Sequence, residues 1–297
     1  MLLFSERISG IIVAGGYGKY VDFLSGDLEI KQLPNLPQEI YDSSIVAHNG
    51  TILLCRGFEN EEKCLQLDLG TWKDHSTLNE ERVMPSAVTT QKATFIFGGN
   101  YSRKTYEYLP KHSTTWLMGK TEIPGGFEDG CAIAVKSDQE ILLIGGHKTE
   151  RRILSFSVND HTFKELPLRL IASRERHGCA FIPNTNKIMI TGGYGKYDRL
   201  DFVEVIDAED GSVTMASPMN FKRDSHGMGV ITINGKDRLV VFGGYDGKNL
   251  LDSVELYNTQ TEQWEISDFK LSRAKFGFSL LSVKLGDIIS FLQCQKT

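Results

Sequence analysis

The sequence lacks the long apolar runs and the charge excess that several classes of protein require. No stretch approaches the roughly 18 consecutive apolar residues of a membrane-spanning helix. The first residues reach Ser5, Glu6 and Arg7 before the apolar core of a signal peptide could form. Lys and Arg number 33 against 38 Asp and Glu, a net charge of −5, so a surface that neutralises a phosphate backbone is not expected. We therefore expect neither a membrane nor a nucleic acid as partner.

Cysteine is scarce, and the common catalytic motifs are missing. The chain has five cysteines, Cys55, Cys64, Cys131, Cys179 and Cys294, with no CxxC pair. An odd and scattered set is typical of a reducing compartment, so we predict a cytoplasmic protein in which Cys131 and Cys179 are small buried apolar groups. Neither the HExxH zinc motif nor the GxSxG hydrolase motif occurs. The sequence therefore indicates no catalytic residue, no metal ligand and no cofactor.

What the sequence has instead is a repeat. An apolar run followed by a glycine pair occurs five times, with a sixth, degraded copy: residues 11–16, 94–99, 141–146, 188–193 and 239–244, and residues 52–57. Successive second glycines lie 41, 42, 47, 47 and 51 residues apart. Each run is short, rich in β-branched and aromatic residues and stopped by glycine, which predicts a strand buried on both faces. A period of this length indicates a repeated small sheet.

The flanking residues complete a four-stranded unit. A large residue opens a fourth, outer strand after the glycines: Trp72, Trp116, Phe163, Val213 and Trp264. A small residue begins an inner strand upstream of the glycines: Ser44, Ser86, Gly130, Gly178 and Gly227. A sixth equivalent, Gly277, has no glycine pair after it, whereas the first repeat begins directly at its second strand. We therefore predict that residues 274–283 supply the missing inner strand of the first sheet.

These motifs resemble Kelch repeats. The match is clearest in Arg223-Asp-Ser-His-Gly, Leu239-Val-Val-Phe-Gly-Gly-Tyr-Asp-Gly, Ser253-Val-Glu-Leu-Tyr-Asn and Trp264. The resemblance implies an all-β, six-bladed propeller with four-stranded antiparallel blades, closed by N- and C-terminal strands that share one blade. The chain is then a single domain, 1–297, with these blades: 11–35 plus 274–283, 41–78, 83–124, 126–170, 174–220 and 223–269. Residues 285–295 are expected to be an added edge or tail.

The resemblance also implies a non-catalytic module that binds a protein or a short, acidic peptide on its loop face. In Kelch adaptors of cullin ubiquitin ligases, residues after the glycine pair and before the inner strand grip such peptides. The predicted partner-binding residues are Tyr17, Lys19, His147, Arg151, Arg174, Arg176, Tyr194, Lys196, Ser225, Tyr245, Asp246 and Lys275. Several are basic, and arginine can hold a carboxylate through two hydrogen bonds. A link to a cullin ligase would require a BTB domain elsewhere.

Three alternatives stay open at this point. Some Kelch-type propellers are sialic acid epimerases, which would need an arginine-rich pocket over the axis, and others are copper oxidases. A third possibility is an actin-associated scaffold. His177 and His226 occupy equivalent places in Arg-x-x-His-Gly motifs, and because they recur with the repeat we predict a structural role for them rather than metal binding.

Overall fold

Six four-stranded antiparallel sheets form the regular structure of a computed structural model that describes residues 9–16, 18–55, 62–149 and 151–284. The closing blade contains β1 (Ser9–Gly15), β2 (Val21–Ser25), β3 (Ile30–Leu33) and β24 (Phe278–Lys284). Blade 2 contains β4 (Ser44–His48), β5 (Thr51–Cys55), β6 (Lys63–Asp68) and β7 (Thr71–Thr77). Blade 3 contains β8 (Ser86–Thr89), β9 (Ala93–Phe97), β10 (Tyr106–Pro110) and β11 (Leu117–Met118).

The remaining blades repeat the same order. Blade 4 contains β12 (Cys131–Val135), β13 (Glu140–Ile144), β14 (Arg152–Ser157) and β15 (Phe163–Arg169). Blade 5 contains β16 (Gly178–Phe181), β17 (Lys187–Thr191), β18 (Val203–Asp207) and β19 (Val213–Ala216). Blade 6 contains β20 (Gly227–Ile233), β21 (Lys236–Phe242), β22 (Ser253–Asn258) and β23 (Gln263–Lys270). Among the described residues there is no helix long and apolar enough to span a membrane.

The two ends of the chain close the ring as the repeat count predicts. Strand β24 pairs antiparallel with β1, with Ser279 opposite Ala14 and Val283 opposite Gly10. This pairing confirms the six-bladed propeller and the shared closing blade. The predicted tail at 285–295 lies outside the described residues.

The core consists of apolar clusters between neighbouring blades. The second strands contribute most of it, since Ile12, Leu53 and Ile96 are at most 1% exposed. The large residue before the outer strand fills the widening wedge, as Trp116 does between blades 2 and 3. Burying one side chain such as leucine or isoleucine contributes about 1.5–3 kcal/mol. The apolar contacts between neighbouring blades therefore supply much of the stability.

The glycine pairs attach each blade to the next. A Cβ atom on Gly98 of blade 3 would lie 1.8 Å from the carbonyl oxygen of Phe127 in blade 4. The N–H of Gly99 donates to that same oxygen at 3.0 Å. Equivalent bonds of 2.8 to 3.0 Å run to the following blade from Gly16, Gly146, Gly193 and Gly244. Both glycines have positive φ, 60° and 98° in blade 3, so only glycine combines this backbone with so close an approach.

The expectation of unpaired cysteines is wrong for four of the five. Cys55 and Cys64 lie opposite each other on β5 and β6 and form a disulfide. Cys131 and Cys179 form a second disulfide between the inner strands of blades 4 and 5, with Cα atoms 6.2 Å apart. The partners meet only through strand pairing and blade stacking, which the spacing of cysteines in the sequence does not reveal. Cys294 lies outside the described residues.

Candidate binding face around the propeller axis

A closed ring of backbone hydrogen bonds surrounds the propeller axis where the chain enters the inner strands. We call it the axial ring; it consists of one residue from each blade: Asp42, Met84, Asp129, Arg176, Ser225 and Gly277. Each N–H donates to the carbonyl of the ring residue in the preceding blade, over 2.6 to 3.5 Å. All six have φ between 50° and 62°, a conformation that residues other than glycine seldom adopt. The bonds to neighbouring blades hold these residues in it.

The side chains of the ring surround a small cavity. It measures about 130 Å³, and His177 and His226 line it together with the ring residues. The Oδ1 atom of Asp129 is buried and has no hydrogen-bond partner among the described residues. The two imidazoles lie against the preceding blade: His226 Nε2 is 2.8 Å from Thr191 Oγ1, and the Cε1 atoms of His177 and His226 lie next to Gly145 and Gly192. Buried polar atoms are nearly always paired in folded proteins, so this cavity contains unused hydrogen-bonding capacity.

Burial dominates the ionisation of these groups. It raises the pKa of Asp42 to about 6, with a contribution from the charge of Asp129, while Arg176 opposes the shift. It also raises the pKa of Asp129 to about 6, although Arg176 donates from Nε to Asp129 Oδ2 at 3.3 Å. Burial lowers the pKa of His177 to about 3 and takes that of His226 well below its usual range. The two imidazoles are therefore neutral at pH 7.

Carboxylates also neutralise the basic residues next to the ring. His147 Nδ1 lies 2.5 Å from Glu175 Oε2, and its Nε2 lies 4.0 Å from Glu128 Oε1. Arg103 Nε lies 3.1 Å from that same Glu128 oxygen. Basic side chains near the ring thus have acidic neighbours and do not form a purely basic surface.

Two predicted binding residues are buried away from the loop face. Arg174 is 2% exposed and forms an ion pair of 2.5 Å with Glu204, and Lys275 is 4% exposed and lies 3.0 Å from Asp22. Strand pairing explains the second misplacement. Ser279 lies opposite Ala14, just before the glycine pair of its blade, as Gly178 lies opposite Thr191. Gly277 is therefore the ring residue, and Lys275 corresponds to Arg174. Neither side chain can meet a ligand on the loop face.

An aromatic row crosses the loops of blade 5, blade 6 and the closing blade. The Arg199 guanidinium lies 4.9 Å from the ring centroid of Tyr194 and 4.8 Å from that of Tyr245. The Tyr245 ring is followed by Phe276 at 6.2 Å. Arg199 Nε donates to Asp224 at 2.8 Å, which fixes the guanidinium between the two rings. The tyrosines were found from their place after the glycine pairs, but the stacking role of Arg199 had no local signal.

The other predicted residues are distributed unevenly over the loop face. Four are exposed: Lys19, Arg151, Arg176 and Lys196. Five are partly exposed: His147, Tyr194, Ser225, Tyr245 and Asp246. Arg151 donates to the Ile171 carbonyl, and Asp246 accepts hydrogen bonds from two backbone N–H groups of its own loop. Tyr17 lies outside the described residues.

A metal site is not formed by the part of the chain that the structure describes, where no cluster of three or more His, Cys, Asp or Glu residues occurs. Tyr197, next to Lys196, is the most exposed of the large apolar side chains there, at 82%. The loop face therefore combines rigidly held aromatic groups with a small polar cavity, which is an arrangement suited to holding another molecule.

Comparison with known proteins identifies the repeat. Residues 226–266 match the Kelch motif family. The chain is 30% identical over 124 residues to Kelch-like protein 7 of Rattus norvegicus, covering 41% of this chain and 20% of that protein. Over 77 residues it is 36% identical to the Influenza virus NS1A-binding protein homolog of Xenopus laevis, covering 26% and 11%. Over 200 residues it is 22% identical to a RING finger domain and kelch repeat-containing protein of Dictyostelium discoideum, covering 66% and 20%. The chain thus aligns with a fifth or less of each relative's length.

Proposed function

Because this chain is a Kelch-repeat β-propeller, we propose that it is a non-catalytic module that binds a segment of another protein across its loop face. The aromatic row carries this proposal. Tyr194, Arg199 and Tyr245 are held in one stack, so they lose little side-chain entropy on binding. Tyrosine and arginine are also the residues that most often dominate the energy of protein interfaces.

Tyr197 extends the proposed binding surface. It lies between two flanking charged residues in the loop of blade 5, and Lys196 Nζ is 4.9 Å from its ring centroid. A solvent-exposed aromatic ring on a loop that a rigid sheet supports is a suitable anchor for a partner. The surface proposed for the partner therefore extends from Tyr197 across the aromatic row towards Phe276.

The alternatives receive less support than the binding module. An acidic peptide would require several free basic groups, yet Arg176 bonds to Asp129, Arg199 bonds to Asp224, and Arg174 is buried. Of the predicted lysines, Lys19 and Lys196 are exposed. An epimerase-type pocket would require several arginines over the axis. Among the described residues that line the axial cavity there is one arginine, Arg176. No contact among the described residues favours an actin scaffold over other protein partners.

The test compares partner capture by surface variants. The tagged chain and its Tyr197→Ala/Arg199→Ala variant are used for affinity purification from native cells, followed by quantitative mass spectrometry. We expect the variant to lose about tenfold or more of the specific partner, as expected for interface anchors. Ile266→Ala is the matched control, because Ile266 is 56% exposed on the outer strand of blade 6. Equal capture by both variants and the wild type would contradict the proposal.

A further inference from the structure

We propose that the cavity inside the axial ring accepts a cationic side chain, a lysine ammonium or an arginine guanidinium, from the protein segment that crosses the loop face. The inference rests on the proposed function and specifies one chemical requirement of its ligand. It also reverses the sign of the ligand charge that the sequence predicts.

An unpaired acceptor in the cavity is the first argument. Asp129 is 10% exposed as a side chain, and its Oδ1 atom is buried without a partner. Asp42, the second carboxylate of the ring, lines the same cavity. Ammonium and guanidinium groups carry three and five N–H donors and no acceptor. A cation of this kind would donate to Asp129 and still have donors left for Asp42.

Electrostatics gives the same sign. The ring contains two carboxylates, Asp42 and Asp129, and one cation, Arg176, which already donates to Asp129 Oδ2. Burial raises the pKa of Asp42, and repulsion from the charge of Asp129 adds to this rise. A second cation between the two carboxylates would relieve this repulsion, whereas an anion would add to it.

The shape of the mouth fits a long side chain better than an isolated ion. Met84 separates Asp42 from Asp129 in the order of the ring and lines the cavity with them. Its thioether side chain offers an apolar contact for the methylene stem of lysine or arginine. On the opposite side, Ser225 and Gly277 are small and leave space for the incoming group.

The test titrates the full chain with n-butylammonium and N-butylguanidinium, which reproduce the ends of lysine and arginine side chains. Binding is followed through the backbone amide shifts of the axial ring by NMR, with n-butanol and propionate as neutral and anionic probes of similar size. We expect saturable shifts with the two cations only. We also expect affinity about tenfold weaker in the Asp42→Asn/Asp129→Asn variant, since a charge-assisted bond is lost at each position.

The variant keeps the shape of the ring. Asparagine has the size of aspartate and tolerates positive φ, so a folded protein is expected. Asp268→Asn is the matched control, because Asp268 is exposed on the outer strand β23, and it should bind the cations as the wild type does. Ring shifts of equal size with n-butanol, ring shifts with propionate, or undiminished cation affinity in the double variant would each overturn the proposal.

This result is independent of the partner experiment. Cation binding is measured without the partner, so its absence would remove the charge requirement and leave docking on the aromatic row untouched. Conversely, partner capture that survives Tyr197→Ala/Arg199→Ala would contradict the loop-face proposal without changing the titration.

Discussion

Four blades differ from the other two in what they bury beside the glycine pair. In blades 3, 5 and 6 and in the closing blade, a basic residue two positions before the ring residue pairs with an acid on the third strand: Arg82 with Glu107, Arg174 with Glu204, Arg223 with Glu255, and Lys275 with Asp22. Blades 2 and 4 have apolar residues at both places: Ile40 with Leu65, and Phe127 with Leu154. Base and acid are therefore replaced together.

A third position changes with them. Three positions before the base, the N–H groups of Asn79, Ile171 and Asn220 donate to the acid over 2.6 to 2.7 Å, and Ser272 reaches Asp22 through its hydroxyl. In blades 2 and 4 the residue there is Pro37 or Pro124. Proline has no N–H to satisfy, so a leucine in place of the acid leaves no donor unpaired at this position. We infer that the three residues form one unit that is exchanged whole.

Breaking the unit at one residue should have the largest effect. Glu255→Leu leaves Arg223 buried and uncompensated, and we expect a loss of about 3–5 kcal/mol in the free energy of unfolding. Urea denaturation monitored by tryptophan fluorescence measures it. Asp268→Leu, an exposed change in the same blade, should lie within about 0.5 kcal/mol of the wild type. Similar losses for the two variants would show that the buried pair is not an energetic unit.

Blades 2 and 4, which have apolar residues in place of the buried ion pair and are called the apolar blades below, also contribute to the two disulfides. Cys55–Cys64 lies within blade 2, and Cys131–Cys179 joins blade 4 to blade 5. The second closes a long loop, with a sequence separation of 48 residues, so we expect Cys131→Ser/Cys179→Ser to lose about 2–4 kcal/mol of unfolding free energy. A reducing agent should lower the stability of the wild type towards that of the variant. Alkylation of both cysteines in the native, unreduced chain, detected by mass spectrometry, would contradict the disulfide.

Exchanging the whole unit should have a smaller effect than breaking it. Asn220→Pro/Arg223→Phe/Glu255→Leu gives blade 6 the residues that blade 4 has at Pro124, Phe127 and Leu154. We expect the triple variant to recover most of the loss seen in Glu255→Leu and to lie within about 1–2 kcal/mol of the wild type. No buried charge is left uncompensated and the N–H at position 220 is removed, so the remaining cost is the 3.3 Å bond from the Phe221 N–H to Glu255. Arg223→Phe/Glu255→Leu should fall between the two. A triple variant no more stable than Glu255→Leu would refute the idea of an exchangeable unit.

The architecture was predictable from the sequence because its signals are local. An apolar run ended by a glycine pair defines the second strand of a blade, and its repetition gives the number of blades. The missing sixth glycine run next to Gly277 correctly located the closure, which the pairing of β24 with β1 confirms. Each of these inferences needs only neighbouring residues and a count.

The candidate binding face was harder to predict because its contacts join residues from different blades. The sequence placed Lys275 in the ring by matching Gly277 to Gly227, but Gly277 has the positive φ of a ring residue, and Ser279 is the residue that corresponds to Gly227. Arg174 was predicted to bind a ligand because its buried partner, Glu204, lies 30 residues away on β18 and the sequence does not reveal the pairing. Without these partners, a buried base and an exposed base have the same sequence signal.

The smallest predicted effect concerns the carboxylates of blades 2 and 4. These two blades lack the buried ion pair but have an aspartate at the axial ring. Both ring carboxylates belong to these blades: Asp42 to blade 2 and Asp129 to blade 4, where Asp129 accepts a hydrogen bond from Arg176 of blade 5. Burial is the main cause of the raised pKa of each carboxyl; the charges that act on Asp42 are Asp129 and Arg176, and those around Asp129 are Arg176, Glu175 and Glu128. Asp42 is the carboxylate whose charge is less well compensated.

Replacing Asp42 by asparagine should therefore stabilise the protein. The folded pKa of Asp42 is about 6 against 3.8 for the free group, so the native state binds more protons than the unfolded state between these values. Its contribution to stability is then lost as the pH rises from about 4 to above 6. At pH 7.5 we expect Asp42→Asn to raise the unfolding free energy by roughly 1 kcal/mol after allowance for solvent screening. The gain should vanish near pH 4, where the wild-type carboxyl is also neutral. Urea denaturation of both proteins at the two pH values measures the difference, and Asp268→Asn should show no such gain at either. A gain that persists at pH 4 would show that it does not come from the charge of Asp42. The two groups of blades would then differ energetically only in their interior pairs, and not in the ring carboxylates.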